Sequence, residues 1–195
     1  MLVAMAGLPG SGKSTVAEEL ARELGCALLS VDPIEAAMWR AGVDRAQPTG
    51  LAAYVVAEAV AREQLVLGNA AIIDAVNDVE PARQQWVALA AELGVPLAFV
   101  EVVCSDADEH RRRLAERQRG IDGFPEPTWE SVLERSEAFR AWQGERLRVD
   151  SMRPLGDNVA VVREHLAQLA GDRHRASERR NPRRSRGFVG GPNWT

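Results

Sequence analysis

Lysine is almost missing from this 195-residue chain: of its 24 basic residues 23 are arginine, and the single lysine is Lys13. Cysteine is scarce too. Cys26 and Cys104 are the only two, which excludes a disulfide-stapled framework and reads as reduced core thiols of a cytoplasmic protein. No run approaches the ~20 apolar residues of a membrane span. The N-terminal apolar run, Leu2 to Ala6, is too short and lacks the basic lead-in of a secretory signal, so no membrane partner is expected. Internal repeats are absent, as is the N-K-x-D motif with which a GTPase reads its base. What remains is ordinary for a folded domain: 46% hydrophobic and 27% charged residues, in a length that buries one core.

Charge is unevenly placed. Residues 171–195 carry seven arginines against Asp172 and Glu178, a net of +5, which leaves −9 for residues 1–170 out of a whole-chain charge of −4. The body is therefore acidic and does not invite a polyanion over its whole surface. The tail lacks apolar periodicity and is rich in Gly, Pro, Asn and Ser. It reads as a disordered, solvated appendage, with nucleic-acid binding as the alternative use of its arginines.

Lys13 sits in the most informative stretch. The apolar run Leu2-Val3-Ala4-Met5-Ala6 suits a buried parallel strand. It leads into Gly7-Leu8-Pro9-Gly10-Ser11-Gly12-Lys13-Ser14-Thr15, which satisfies G-x-x-x-x-G-K-[ST]. A helical stripe of Val16, Leu20, Ala21 and Leu24 follows and stops at Gly25. Glycines in such a loop let successive backbone N–H groups close around a phosphate chain, and the helix that follows adds its positive end. Lys13 then reaches the terminal phosphates, and the Ser14 hydroxyl is placed for Mg²⁺. The G-x-G-x-x-G spacing of a dinucleotide site is not met. The bland alternative is a tight glycine-rich turn.

Further apolar runs alternate with helical patterns. Strands are expected at 27–31, 70–73, 97–103 and 147–149. Helices are expected at 33–41, 49–67, 79–93, 106–118 and 128–141, with a last one marked by Val159, Val162, Leu166 and Leu169. The 49–67 helix, apolar on most sides, reads as buried. This alternation predicts an α/β fold: a three-layer P-loop NTPase architecture with a five-stranded parallel sheet over residues 1–170. Ligands of such sheets sit at the carboxyl ends of the strands, where Asp32 and Asp74 fall.

A phosphotransferase needs a phosphate cradle, a carboxylate near the acceptor hydroxyl, and arginines that close over the moving phosphoryl group. Asp32 is placed to accept the acceptor's proton; as an alternative it caps a helix beginning at Pro33. Asp74 ends an Ile-Ile-Asp run in the manner of a carboxylate that holds Mg²⁺ through water. Otherwise it touches the acceptor or simply turns the chain. Asn77 is a secondary candidate for acceptor contact. Arg113 and Arg117, four apart in the basic stretch 106–119, share one helical face, and the Gly/Pro loop that follows suits a hinged lid over about 106–127. Glu109 and Glu116 pair with some of these arginines. His110 and His165 read as surface residues.

These motifs together resemble the P-loop kinases related to polynucleotide kinase, gluconate kinase and chloramphenicol phosphotransferase, a group also described as zeta-toxin-like or AAA-type ATP-binding proteins. The resemblance rests on the Gly7–Thr15 loop, on Asp32, on Ile72-Ile73-Asp74-Ala75-Val76-Asn77-Asp78 and on the arginine-rich stretch. It implies ATP-dependent transfer to a hydroxyl group, with Mg²⁺ required. Lys13 and Ser14 would then serve phosphate and metal, Asp32 the acceptor, and Arg113 or Arg117 the γ-phosphate. Ser151-Met152-Arg153-Pro154 looks like the turn that lies over adenine in these kinases. One departure matters. Polynucleotide kinase has arginine three residues after the acceptor aspartate, whereas Glu35 stands here. That shifts the expected acceptor from a phosphorylated end to an uncharged or cationic small hydroxyl compound, lined by Trp39, Met38 and Tyr54. A 5′-hydroxyl polynucleotide kinase and a non-catalytic ATP-binding module remain as alternatives.

Overall fold

A computed structural model describes residues 1–117 and 126–180. Five strands, β1 (Leu2–Ala6), β2 (Ala27–Ser30), β3 (Ala71–Asp74), β4 (Leu97–Val103) and β5 (Leu147–Asp150), form one sheet in the order β2-β3-β1-β4-β5. Every pairing is parallel. Parallel neighbours need crossovers, and the crossovers here are helices: α1 (Lys13–Leu24), α2 (Val31–Arg40), α3 (Thr49–Val66), α4 (Glu80–Glu92), α5 (Ala107–Ala115), α6 (Trp129–Ala141) and α7 (Leu155–Arg180).

Strand alternation sorts the core into two faces. Val3, Met5 and Ile72 pack with Val16 and Leu20 of α1 and with Val159 and Val162 of α7. Leu2, Ala4 and Ile73 face the opposite way, onto Ala53, Ala57 and Ala61 of α3 and Trp86 and Leu89 of α4. The result is the helix–sheet–helix sandwich anticipated from the alternating runs. A smaller cluster joins α6 to the sheet's carboxyl end, where Phe139 and Trp142 cover Ala6 and Leu8. Trp142 is held edge-on to Phe99 (5.3 Å) and lies between the guanidinium groups of Arg83 (4.6 Å) and Arg146 (4.4 Å).

Several expectations shift. Strand β2 stops at Ser30 and α2 starts at Val31, so Asp32 stands in the first helical turn instead of capping a helix at Pro33; Ser30 is the N-cap. An aspartate there still complements the helix's positive end. Helix α3 is not buried all round. One stripe (Ala53, Ala57, Ala61, Leu65) meets the sheet while Leu51, Val55 and Val66 are exposed, because small side chains at i, i+4 spacing bring the helix close along one face only. Cys26 and Cys104 are free and half-buried, not core residues. Helix α7 continues past residue 170, where the composition placed the start of a disordered tail, as far as Arg180. Arginine and alanine are good helix formers, and an Arg175–Asp172 pair (2.6 Å) spans one turn. The rest of that tail, residues 181–195, and the 118–125 part of the expected lid lie outside the described residues.

Candidate phosphate-binding and acceptor site

The loop between β1 and α1 leaves the central strand at the carboxyl edge of the sheet. Two glycines are required by its path. At Gly7 (φ 147°) a Cβ would come within 2.4 Å of the Val102 carbonyl oxygen, and at Gly12 (φ 90°) it would meet Ser151 Cβ at 3.0 Å. Gly12 is also the N-cap of α1. The N–H groups of Lys13, Ser14 and Thr15 open that helix and therefore have no intrahelical acceptor.

Lys13 ion-pairs with Asp74 at the end of β3. Burial is the largest single influence and pushes the Asp74 carboxyl up. The Lys13 charge together with hydrogen bonds from Lys13, Ser14 and Ser30 (3.4 Å) outweighs it and holds the group below the ordinary carboxylate range. Lys13, Ser14, Asp74, Arg113 and Arg117 all line one cavity of about 470 Å³ with the loop residues Leu8 to Thr15. The expected site residues Lys13, Ser14, Asp74, Arg113 and Arg117 thus share one cavity, although Arg117 lies past the end of α5 and not on the same helical face as Arg113. Arg113 ties the neighbourhood together: Nε donates to Glu109 (2.7 Å) and Nη1 to the Ser151 hydroxyl (2.8 Å). Arg112 instead pairs with Glu109 and Glu116 on the solvent side. Arg153 is exposed and does not line the cavity; the turn it belongs to reaches the loop through Ser151.

The donor set fits the groups that the sequence implies. A cavity that gathers Lys13, Arg113 and Arg117 beside helix-terminal N–H groups without intrahelical acceptors suits a polyphosphate. Ser14 and Asp74 supply the hydroxyl and carboxylate that Mg²⁺ prefers, with room left for water.

A second cavity, of about 810 Å³, opens against the first. The two share Pro9, Asp32, Ala75 and Val76, so Asp32 stands on their common wall. Trp39 and Tyr54 line the second cavity, as expected, whereas Met38 packs into the core. Tyr54 is pushed up to about 12, first by burial and then by the charges of Asp78 and Asp32, against a hydrogen bond from the Asn77 N–H and the Arg135 charge. It is a phenol at neutral pH. Asn77 is not an acceptor contact: it is buried, with φ 54°. Its Nδ2 donates to the Met5 carbonyl (2.6 Å) and its Oδ1 accepts from Trp86 Nε1 (2.9 Å). A side chain saturated in this way braces the β3–α4 turn.

His110 was misread as a surface residue. It is buried, its Nε2 donates to the Pro9 carbonyl (2.8 Å), and its ring meets Trp129 edge-on at 5.3 Å. It pins the loop between β1 and α1 to α5 and, through Trp129, to α6. His165 is half-buried on α7, away from these groups.

An all-parallel β2-β3-β1-β4-β5 sheet with a glycine-lined loop and lysine after its central strand is the P-loop NTPase architecture, in the form found in P-loop kinases. Residues 2–141 match the AAA domain family, and the chain belongs to it. No curated protein matches the sequence significantly. Among solved structures, a candidate kinase from Chloroflexus aurantiacus aligns with 23% identity and TM-score 0.65, over 84% of this chain and 97% of its own. A gluconokinase from Sinorhizobium meliloti aligns with 20% identity and TM-score 0.61, over 90% and 96%. The APS kinase CysC of Mycobacterium tuberculosis, in complex with AMPPNP and APS, aligns with 21% identity and TM-score 0.58, over 85% and 96%. At these identities the likeness is one of fold.

Proposed function

We propose that the protein is a kinase that transfers the γ-phosphoryl group of Mg-ATP to a hydroxyl group of a small molecule. The observation that carries this reading is the position of Asp32 on the wall common to the cavity that gathers Lys13, Arg113 and Arg117 and a larger neighbouring one. A carboxylate at such a junction is where a general base for an incoming alcohol has to stand. The nucleotide-bound state of the APS kinase relative supports ATP as donor.

In this reading Gly10, Ser11, Gly12 and the start of α1 hold the phosphates through backbone N–H groups. Lys13 leaves Asp74 to neutralise the terminal phosphates, while Arg113 and Arg117 stabilise charge on the transferring group. Ser14 and Asp74 would hold Mg²⁺, which when bound would supply positive charge against the charge developing on the phosphoryl group. Asp32 orients the acceptor hydroxyl and takes its proton as the new O–P bond forms and the bond to the β-phosphate oxygen breaks, releasing ADP. Arg153 and its turn flank the nucleotide's base. We place the reaction in the cytoplasm, consistent with free thiols. Among the described residues no helix is long and apolar enough to cross a membrane.

The test is a screen of hydroxyl compounds for ADP release, with Lys13→Ala as control. Acceptor-dependent release lost by about 10²–10³-fold in the variant supports the assignment. A protein that binds no magnesium nucleotide by calorimetry overturns it.

A further inference from the structure

Resting on that reading, the charge of the second cavity narrows the acceptor class. Among the described residues its wall carries four carboxylates, Asp32, Glu35, Asp78 and Glu126, against one guanidinium, Arg135. Arg135 Nε itself lies 3.8 Å from Asp78 Oδ2. The guanidinium groups that the sequence offers nearby, Arg113 and Arg117, line the phosphate cavity instead.

We infer that the acceptor is a hydroxyl compound bearing positive charge, an amino sugar or amino alcohol, bound in the 810 Å³ cavity with its amine toward Glu35 and its hydroxyl at Asp32. Three further observations support this. Glu35 lies one helical turn after Asp32, and its Oε1 accepts the Thr49 hydroxyl (2.7 Å), which itself accepts from Trp39 Nε1 (3.0 Å). Those are neutral donors: they fix the carboxylate's place on the wall and leave its charge unbalanced. Trp39 also takes a cation on its ring, since the Arg45 guanidinium stacks there at 4.5 Å, and an aromatic face beside carboxylates suits ammonium groups. Finally, the Tyr54 phenol, raised first by burial, is raised further by the charges of Asp78 and Asp32 on the same wall. An acidic acceptor such as gluconate, which carries a carboxylate, would meet the Glu35 carboxylate and a guanidinium, Arg135, already facing Asp78. The kinship of fold with a gluconokinase therefore does not extend to its substrate charge.

The experiment compares three probes on one scaffold: glucosamine, glucose and glucuronate, each as acceptor in ADP release and as ligand in calorimetry with a non-hydrolysable ATP analogue present. The expected order of kcat/KM and affinity is amine first by roughly tenfold, then neutral sugar, then acid, with the amine's lead shrinking between about 50 mM and about 500 mM salt. Glu35→Gln should raise KM for glucosamine severalfold, change glucose little and leave kcat nearly unchanged. Retained nucleotide affinity shows that this variant folds. An acid or neutral probe that equals or exceeds the amine overturns the inference, as does an amine preference untouched by the substitution, or binding of none of the three. If glucosamine binds preferentially but no probe is phosphorylated, the kinase reading fails while the charge inference stands.

Discussion

The two cavities that meet at Asp32 are built differently. One is centred on consecutive residues, Leu8 to Thr15, and sets Lys13, Arg113 and Arg117 against Glu18, Asp32 and Asp74; the other is assembled from α2, α3, the β3–α4 turn and α6, and among the described residues sets four carboxylates against Arg135. On the proposed reading the first would hold a constant group, a polyphosphate, for which a fixed backbone path with one ammonium is the main need. The second would hold a variable group and is built from side chains that can change without disturbing the sheet. The difference explains why a family can share the first cavity and diverge in the second.

The sharpest way to break this contrast is at the shared wall. Asp32→Asn should lower kcat by about 10²–10⁴-fold while calorimetry shows nucleotide affinity within a fewfold of the parent. An equal loss in both would mean that Asp32 belongs to the phosphate cavity alone. A smaller effect is expected where the lid side meets the loop. His110→Leu removes the donor to the buried Pro9 carbonyl, at a cost of about 1–3 kcal/mol, or roughly 2–10 °C in Tm for a chain of this size. His110→Gln, which keeps a donor, should recover part of it. KM for ATP should rise more than KM for the acceptor, because Pro9 begins the phosphate loop.

The smallest effect concerns pH. Asp74 has its carboxyl held below the ordinary value of 3.8 by Lys13. Its ion pair therefore contributes stability at pH values above 3.8 and loses it as pH falls through the lower folded value. Acid unfolding of the parent should show this limb, and Asp74→Asn should flatten it. A limb that persists in the variant assigns it to other carboxylates.

The Gly7–Thr15 loop was legible in the sequence because its parts are local: glycine spacing, a strand before and a helix after. The parallel sheet was legible for the same reason, as alternating runs each long enough to show a period. What escaped was made by contacts distant in sequence. His110 meets Pro9 across 101 positions, and nothing in the charged pattern of α5 announces a buried ring. Asn77 looked like a ligand because it follows Asp74; only the Met5 carbonyl and the Trp86 indole reveal it as a brace. The Asp32 boundary moved by two residues, since Val31 reads equally as the end of a strand or the first turn of a helix. Of the charged groups on the second cavity's wall, the sequence singled out Asp32 and Glu35; Asp78, Glu126 and Arg135 joined them through folding.

The lone lysine has a practical consequence. An acylating reagent that attacks primary amines finds a single side-chain target in the entire polypeptide, and that target is clasped by a carboxylate at the floor of a cleft. The rate at which Lys13 is labelled, read by intact-mass spectrometry against the α-amino group as an internal clock, therefore reports how often that clasp opens and whether anything shields the amine, with no dye, tag or added cysteine.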